Sequence, residues 1–271
     1  MTRFILLPII LLTAVLNIAC TTSPTGRSQL MLVSPQQAIT ASKEAYVQTL
    51  KPLAEEGKID NNPVVTKRVK KITGRLIAQA IHDYPQTRNW DWSVKVIDEP
   101  DTVNAWCMAG GKMAIYTGLL NKVKPTDDEL AQVMGHEISH ALANHTAEKM
   151  SVAMASQIGL MAIAVAANDS HRGAALTGAA LAASLAIQLP NSRTAETEAD
   201  RMGIELAAKA GYDPYAAATL WEKMGRVGGS SPPQFMSTHP SPGNRQATLR
   251  NLAPQMMKYY QEGKPHPVYP L

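Results

Sequence analysis

The stretch Thr126-Asp127-Asp128-Glu129-Leu130-Ala131-Gln132-Val133-Met134-Gly135-His136-Glu137-Ile138-Ser139-His140 decides how this chain is read. Thr126 followed three residues later by Glu129 is a capping-box pattern, which satisfies the free N–H groups of a helix start. Leu130, Val133, Met134 and Ile138 then recur at helical spacing and form an apolar stripe. In such a helix His136 and His140 lie one turn apart on one face. Two imidazoles so placed can share a tetrahedral Zn2+, and Glu137 beside them can take a proton from a zinc-bound water.

The pair needs a third ligand. One type of site adds a His ten residues after the first, beyond a glycine turn; here that position is Thr146, and Ala143 stands in place of the glycine. His145 misses the register. On a continued helix it points away from His136 and His140, and it reads as part of a polar helix end. The other route takes a Glu from a second helix, and Ser192 to Ala210 is a good helix candidate. Glu196 and Asp200, four apart, share a face. Glu196 can ligate zinc. Asp200 can accept the outer N–H of a ligand His and fix its tautomer. Glu198 and Glu205 lie off that face and read as solvated.

HEISH at 136–140, SRTAETEAD at 192–200 and STHPSPGNR at 237–245 follow one another in this order. Together they resemble peptidase family 48 of the metallopeptidases, the HtpX-like and CAAX-prenyl-protease-like gluzincin group. Within it the likeness is to small bacterial periplasmic lipoproteins of the LoiP and BepA kind. The resemblance implies a gluzincin-type fold and one Zn2+ per chain, with His136, His140 and Glu196 as its ligands. It implies Glu137 as general base and acid, and His239 and Arg245 near the reacting carbonyl. It also implies that His239 contacts the metal in a resting state. The segment Asn104-Ala105-Trp106 matches an edge strand that holds an extended substrate across the metal. The implied activity is that of an endopeptidase degrading misfolded or misassembled envelope and outer-membrane proteins. A competing reading is a chaperone-like or docking lipoprotein of outer-membrane assembly with latent protease activity. A third, hydrolysis of a cell-wall amide, finds no wall-binding module in the sequence.

Composition narrows the rest. With 271 residues and a net charge of only +4, and with no basic run, the chain shows nothing suited to nucleic acid. Residues 1–19 read as an export signal: Arg3 supplies a positive start, and Phe4 to Leu16 is apolar but short for a membrane span. Ala19-Cys20 closes it in the lipoprotein pattern, although Asn17 stands where an apolar residue is usual. Cys20 is therefore the expected lipidation site. Thr21 after it points to the outer membrane, with the protein facing the periplasm. The one other cysteine, Cys107, has no motif around it and reads as a small buried residue.

Residues 20–33, rich in Thr, Ser and Pro, read as a tether, and 34–271 as one metallopeptidase domain. Helices are expected from Pro35 toward Glu56 and after Asn62-Pro63. Trp90 to Val96 alternates as a half-buried strand, and Val103 to Tyr116 reads as one or two more, broken at Gly110-Gly111. Further helices are expected over Pro214 to Arg226 and from Pro242. The class is α+β, mostly helical, with a small antiparallel or mixed sheet. Two Ala-rich stretches over 150–189 read as a helical hairpin beside the site, with His171 solvated at its turn. Gly228 to Pro233 reads as a movable loop carrying His239.

Overall fold

The computed structural model describes residues 20–166, 191–227, 233–240 and 244–271. The export signal, the stretch from Ala167 through Leu189 with His171, Gly228 to Pro232, and Ser241-Pro242 lie outside the described residues. The chain divides into two compact units. Among the described residues, one takes in 20–38 and 146–166, the other 39–145 and 191–271.

In the first unit, residues read as a tether form a β-hairpin: β1 (Cys20–Thr22) pairs antiparallel with β2 (Ser28–Leu30), Cys20 opposite Leu30. Gly26 supplies the left-handed turn residue at φ 90°. Arg27 donates from both guanidinium ends to the two oxygens of Glu148, at 2.6 Å each, and the Gln29 amide donates to Glu148 at 2.9 Å. The hydroxyl of Ser151 accepts the Val33 N–H at 2.9 Å. Composition hid the hairpin because its partners lie far along the chain.

The second unit follows the expected order. After α1 (Pro35–Glu55), α2 (Pro63–Asp83) starts at Asn62, whose side chain accepts the N–H groups of Val64 and Val65. A 3-10 turn (Pro85–Asn89) leads to β3 (Ser93–Ile97), β4 (Ala105–Met108) and β5 (Lys112–Tyr116). The sheet order is β3-β5-β4, with β3 parallel and β4 antiparallel to the central β5, so it is mixed. A π-turn (Leu119–Val123) precedes α3 (Asp127–Leu142), whose capping box is complete: the Thr126 hydroxyl accepts from Glu129 N–H, and the Glu129 carboxylate accepts from Thr126 N–H.

From Glu129 onward every residue of α3 is buried. Leu130, Met134 and Ile138 lie wholly inside, each stabilising the fold by roughly 2 kcal/mol. The helices that follow are α4 (His145–Ala166), which past His145 belongs to the first unit, and then α5 (Arg193–Lys209), α6 (Ala216–Val227), the short α7 (Gln234–Thr238) and α8 (Arg245–Met256). Ser192 caps α5 through the Ala195 N–H. Among the described residues no helix is long and apolar enough to cross a membrane.

The packing of α3 on α5 positions the site. The two helices meet at Gly135 and Gly203. A Cβ on Gly203 would stand 2.8 Å from the His136 nitrogen and 2.9 Å from its Cα. Only hydrogen fits there, and the close approach brings the acidic face of α5 onto the histidines of α3.

Candidate metal centre

His136, His140, Glu196 and His239 each turn a ligand atom into one buried point, all within 4.8 Å of one another. The His136 and His140 Nε2 atoms are 3.0 Å apart, as helical spacing demands for two rings on one face. Glu196 bridges them from α5, with Oε2 3.3 Å from His136 Nε2 and Oε1 3.3 Å from His140 Nε2. His239, at the end of α7, adds Nδ1 at 3.0 Å from Glu196 Oε1 and 3.3 Å from His136 Nε2. Its ring stacks on Phe235, centroids 4.5 Å apart, and Phe235 in turn packs on Trp221.

The electrostatics suit a cation. Burial raises the Glu196 carboxyl, but hydrogen bonds from His136, His140 and His239 overcome it and hold the group ionised, far below the usual range. Burial pushes His140 well below its ordinary value, with the His136 and His145 charges adding and Glu196 opposing; the imidazole is therefore neutral, as a ligand must be. His136 is pushed down by burial and by Arg245, yet hydrogen bonds to Asp200 and Glu196 lift it to about 9. A metal must displace that proton to bind there.

Glu137 stands beside the cluster, 3.4 Å from His239 Nε2 through Oε1, and that oxygen is buried with no hydrogen bond from the protein. A buried acceptor left so costs about 1–3 kcal/mol, and a water between it and a metal would satisfy it. Burial raises the Glu137 carboxyl above the ordinary range; the His239 and His136 charges and a hydrogen bond from the Cys107 backbone oppose it, while Glu196 adds to the rise. Glu137, Glu196 and Asp200 are all buried, and of the three only Glu196 and Asp200 pair with the cation Arg245. The surplus of negative charge is what one divalent ion balances. Donor set and charge both fit zinc.

Asp200 Oδ1 lies 3.0 Å from His136 Nδ1. Arg245 also joins the cluster. Its guanidinium pairs with Asp200, lies 3.2 Å from Glu196 Oε2 and 3.1 Å from His136 Nδ1, and rests 3.7 Å above the Trp221 ring. The donors that contact Glu196 and Asp200 thus support the ligands. Asn104 precedes β4, and its side-chain oxygen accepts the Ala105 N–H at 3.0 Å. Trp106 packs edge-on against Tyr46, centroids 5.7 Å apart. Burial, then the Glu137 charge, raises the Cys107 thiol, which suits a packing residue rather than a nucleophile.

Two residues depart from the sequence reading. Glu198 is buried rather than solvated, and His145 does not point away. The helix ends before His145: Asn144 adopts the left-handed region at φ 56°, and the chain turns back. His145 Nδ1 then lies 2.8 Å from His140 Nδ1, and His145 Nε2 lies 3.0 Å from Glu198 Oε2. Trp221 and Phe235, under Arg245 and His239, carried no sequence signal beyond being aromatic.

The sequence pattern of peptidase family M48 matches residues 63–253. The chain is 36% identical over 253 residues to the bovine "Metalloendopeptidase OMA1, mitochondrial", covering 86% of this chain and 46% of that one. The human protein of the same name is 34% identical over 250 residues, again 86% and 46%. The "Beta-barrel assembly-enhancing protease" of Escherichia coli is 31% identical over 206 residues, 72% of this chain and 40% of that one. The chain thus spans less than half the length of each of these relatives. By the extent of the family match and by the donor set, the cluster is a site for one zinc ion and the chain belongs to peptidase family M48.

Proposed function

We propose that this protein is a zinc-dependent endopeptidase of the bacterial cell envelope that cleaves misfolded or misassembled proteins. The observation that carries the reading is Glu137, a buried carboxylate with an unpartnered oxygen beside a three-histidine, one-glutamate cluster. Zinc, when bound, polarises the scissile carbonyl and acidifies a water. Glu137 accepts that proton and returns it to the leaving amine. His136, His140 and Glu196 would hold the ion, and His239 would donate to the developing oxyanion. Arg245 keeps Glu196 and Asp200 in place.

The substrate lies along β4, which pairs with β5 alone among the described strands. Tyr116 N–H donates to Asn104 C=O, so by antiparallel alternation Ala105 and Cys107 turn their peptide groups away from β5. The Ala105 N–H is already taken by Asn104 and the Cys107 N–H by Glu137. Carbonyls remain to accept the N–H groups of an extended peptide.

The envelope location rests on the export signal, on Cys20 as a lipid-anchored N-terminus at the outer membrane, and on likeness to small periplasmic lipoproteins. The name of the Escherichia coli relative supports it; the mitochondrial names of the others support the protease reading only. Replacement of Cys20 by Ser is expected to release the protein from the membrane fraction.

A second reading, latent protease and docking protein, is favoured by His239, whose Nδ1 stands where a fourth ligand would. Casein hydrolysis by the purified protein, with chelator and after zinc is restored, separates the two. The endopeptidase reading expects cleavage that chelator stops and zinc restores. Zinc-loaded protein inert toward casein, yet active as His239→Ala, supports latency.

A further inference from the structure

We propose that His145 and Glu198 form a positioning relay that fixes the protonation and orientation of His140 as a metal ligand. The proposal rests on the zinc reading of the cluster. His140 turns Nε2 into the cluster and Nδ1 to His145, 2.8 Å from its Nδ1. A contact this short between two ring nitrogens needs one donor and one acceptor. Only one placement of protons leaves His140 Nε2 with a lone pair for a metal: His140 Nδ1–H donates, and His145 Nδ1 accepts. His145 must then carry its proton on Nε2. Glu198 is placed to enforce this, its Oε2 3.0 Å from His145 Nε2. The order set by Glu198 passes through His145 to His140, and the tautomer of each ring follows from the bond its neighbour makes.

Burial makes the order strict. His140, His145 and Glu198 are each at most 5% exposed, so water cannot readily substitute for a lost partner. The rings of His140 and His145 are 4.9 Å apart at 67°, so they pack edge-on as well as meeting through Nδ1. The left-handed Asn144 makes the contact reachable. On an unbroken helix the two rings would sit on different faces.

The test measures zinc affinity of the full chain by competition with a chromogenic chelator, beside the thermal unfolding of each chelator-treated protein. Replacement of His145 by Leu keeps volume but removes both nitrogens; a 10- to 100-fold weaker zinc affinity is expected, the usual scale for such partners. Glu198→Ala is expected to weaken it similarly, and the double variant no further, because the two residues act in series. His145→Gln can accept at one end and donate at the other, so it should recover most of the affinity. A role in folding alone would lower the unfolding temperature of every metal-free variant and leave zinc affinity at the wild-type value. That outcome overturns the relay, as do losses that add in the double variant. Wild-type protein that binds no zinc overturns the metal reading itself, and with it the relay; unchanged affinity in the variants of a zinc-binding wild type overturns the relay alone.

Discussion

The two cluster histidines of α3 are supported by unlike means. His136 meets a carboxylate directly: Asp200 lies 3.0 Å from its Nδ1, and the same carboxylate is paired with the Arg245 guanidinium. His140 meets a carboxylate at one remove, through the imidazole of His145 to Glu198. The first arm ends in a buried ion pair, so it is stiff, and costly to cut. The second reaches its carboxylate through an imidazole and contains no arginine pair, so cutting it should cost less. One site can thus rest on both a charged and a relayed support, and one helix, α5, supplies Asp200, Glu198 and Glu196.

The comparison breaks most directly at Asp200. Replacing it with Ala removes one of two buried carboxylates facing Arg245, and a broken buried pair costs about 3–5 kcal/mol. The lower end is expected, because Glu196 still faces the guanidinium. Urea unfolding of the metal-free protein measures it. Glu198→Ala should cost visibly less; equal losses would mean that the two arms do not differ in kind.

A substitution at the helix crossing should act on both arms together. Gly203→Ala forces a methyl against the backbone of His136, an overpacking worth about 1–3 kcal/mol. Because α5 carries Glu196, Glu198 and Asp200, zinc affinity should fall along with stability. Wild-type affinity in a destabilised Gly203→Ala protein would show that the site tolerates movement of α5.

The smallest effect should spare both arms. Thr126→Ala removes the capping hydroxyl of α3 at a cost of about 1 kcal/mol, with zinc affinity unchanged. Its partner Glu129 gives this a pH signature. Burial raises the Glu129 carboxyl, but Lys223 at 2.6 Å, the Thr126 N–H and the Thr219 hydroxyl lower it below its ordinary 4.5. A lowered folded value means that the stability is fully present above pH 4.5 and is lost as pH falls through the lowered value. Glu129→Gln should therefore flatten the fall in unfolding free energy below that pH. An unaltered slope would remove Glu129 from the account.

Much of this was legible in the sequence, and the residues show why. The capping box, the apolar stripe and the one-turn spacing of His136 and His140 are local, so α3 could be read residue by residue. Glu196 and Asp200 share a face, so the first arm followed as well. The second arm did not. His145 becomes visible only once Asn144 is known to break the helix, a backbone choice that one sequence does not display. Glu198 lies off the face that Glu196 and Asp200 share, and so reads as solvated. In α5 Ala195, Glu196, Glu198, Ala199 and Asp200 are all buried, because other elements enclose the helix on more than one side. The hairpin at Cys20–Leu30 was missed for a related reason, its clamp on Glu148 being remote in sequence.

Three residues are expected to hold the metal while a fourth moves the proton. Zinc content per chain, measured on purified Glu196→Ala and Glu137→Gln beside the wild type and paired with casein hydrolysis, tests this most directly. Glu196→Ala is expected to lose tight zinc. Glu137→Gln is expected to keep one ion per chain and to cleave about a hundred- to ten-thousandfold more slowly, the range set by a lost acid–base group. Full zinc in Glu196→Ala, or wild-type cleavage by Glu137→Gln, would contradict this assignment.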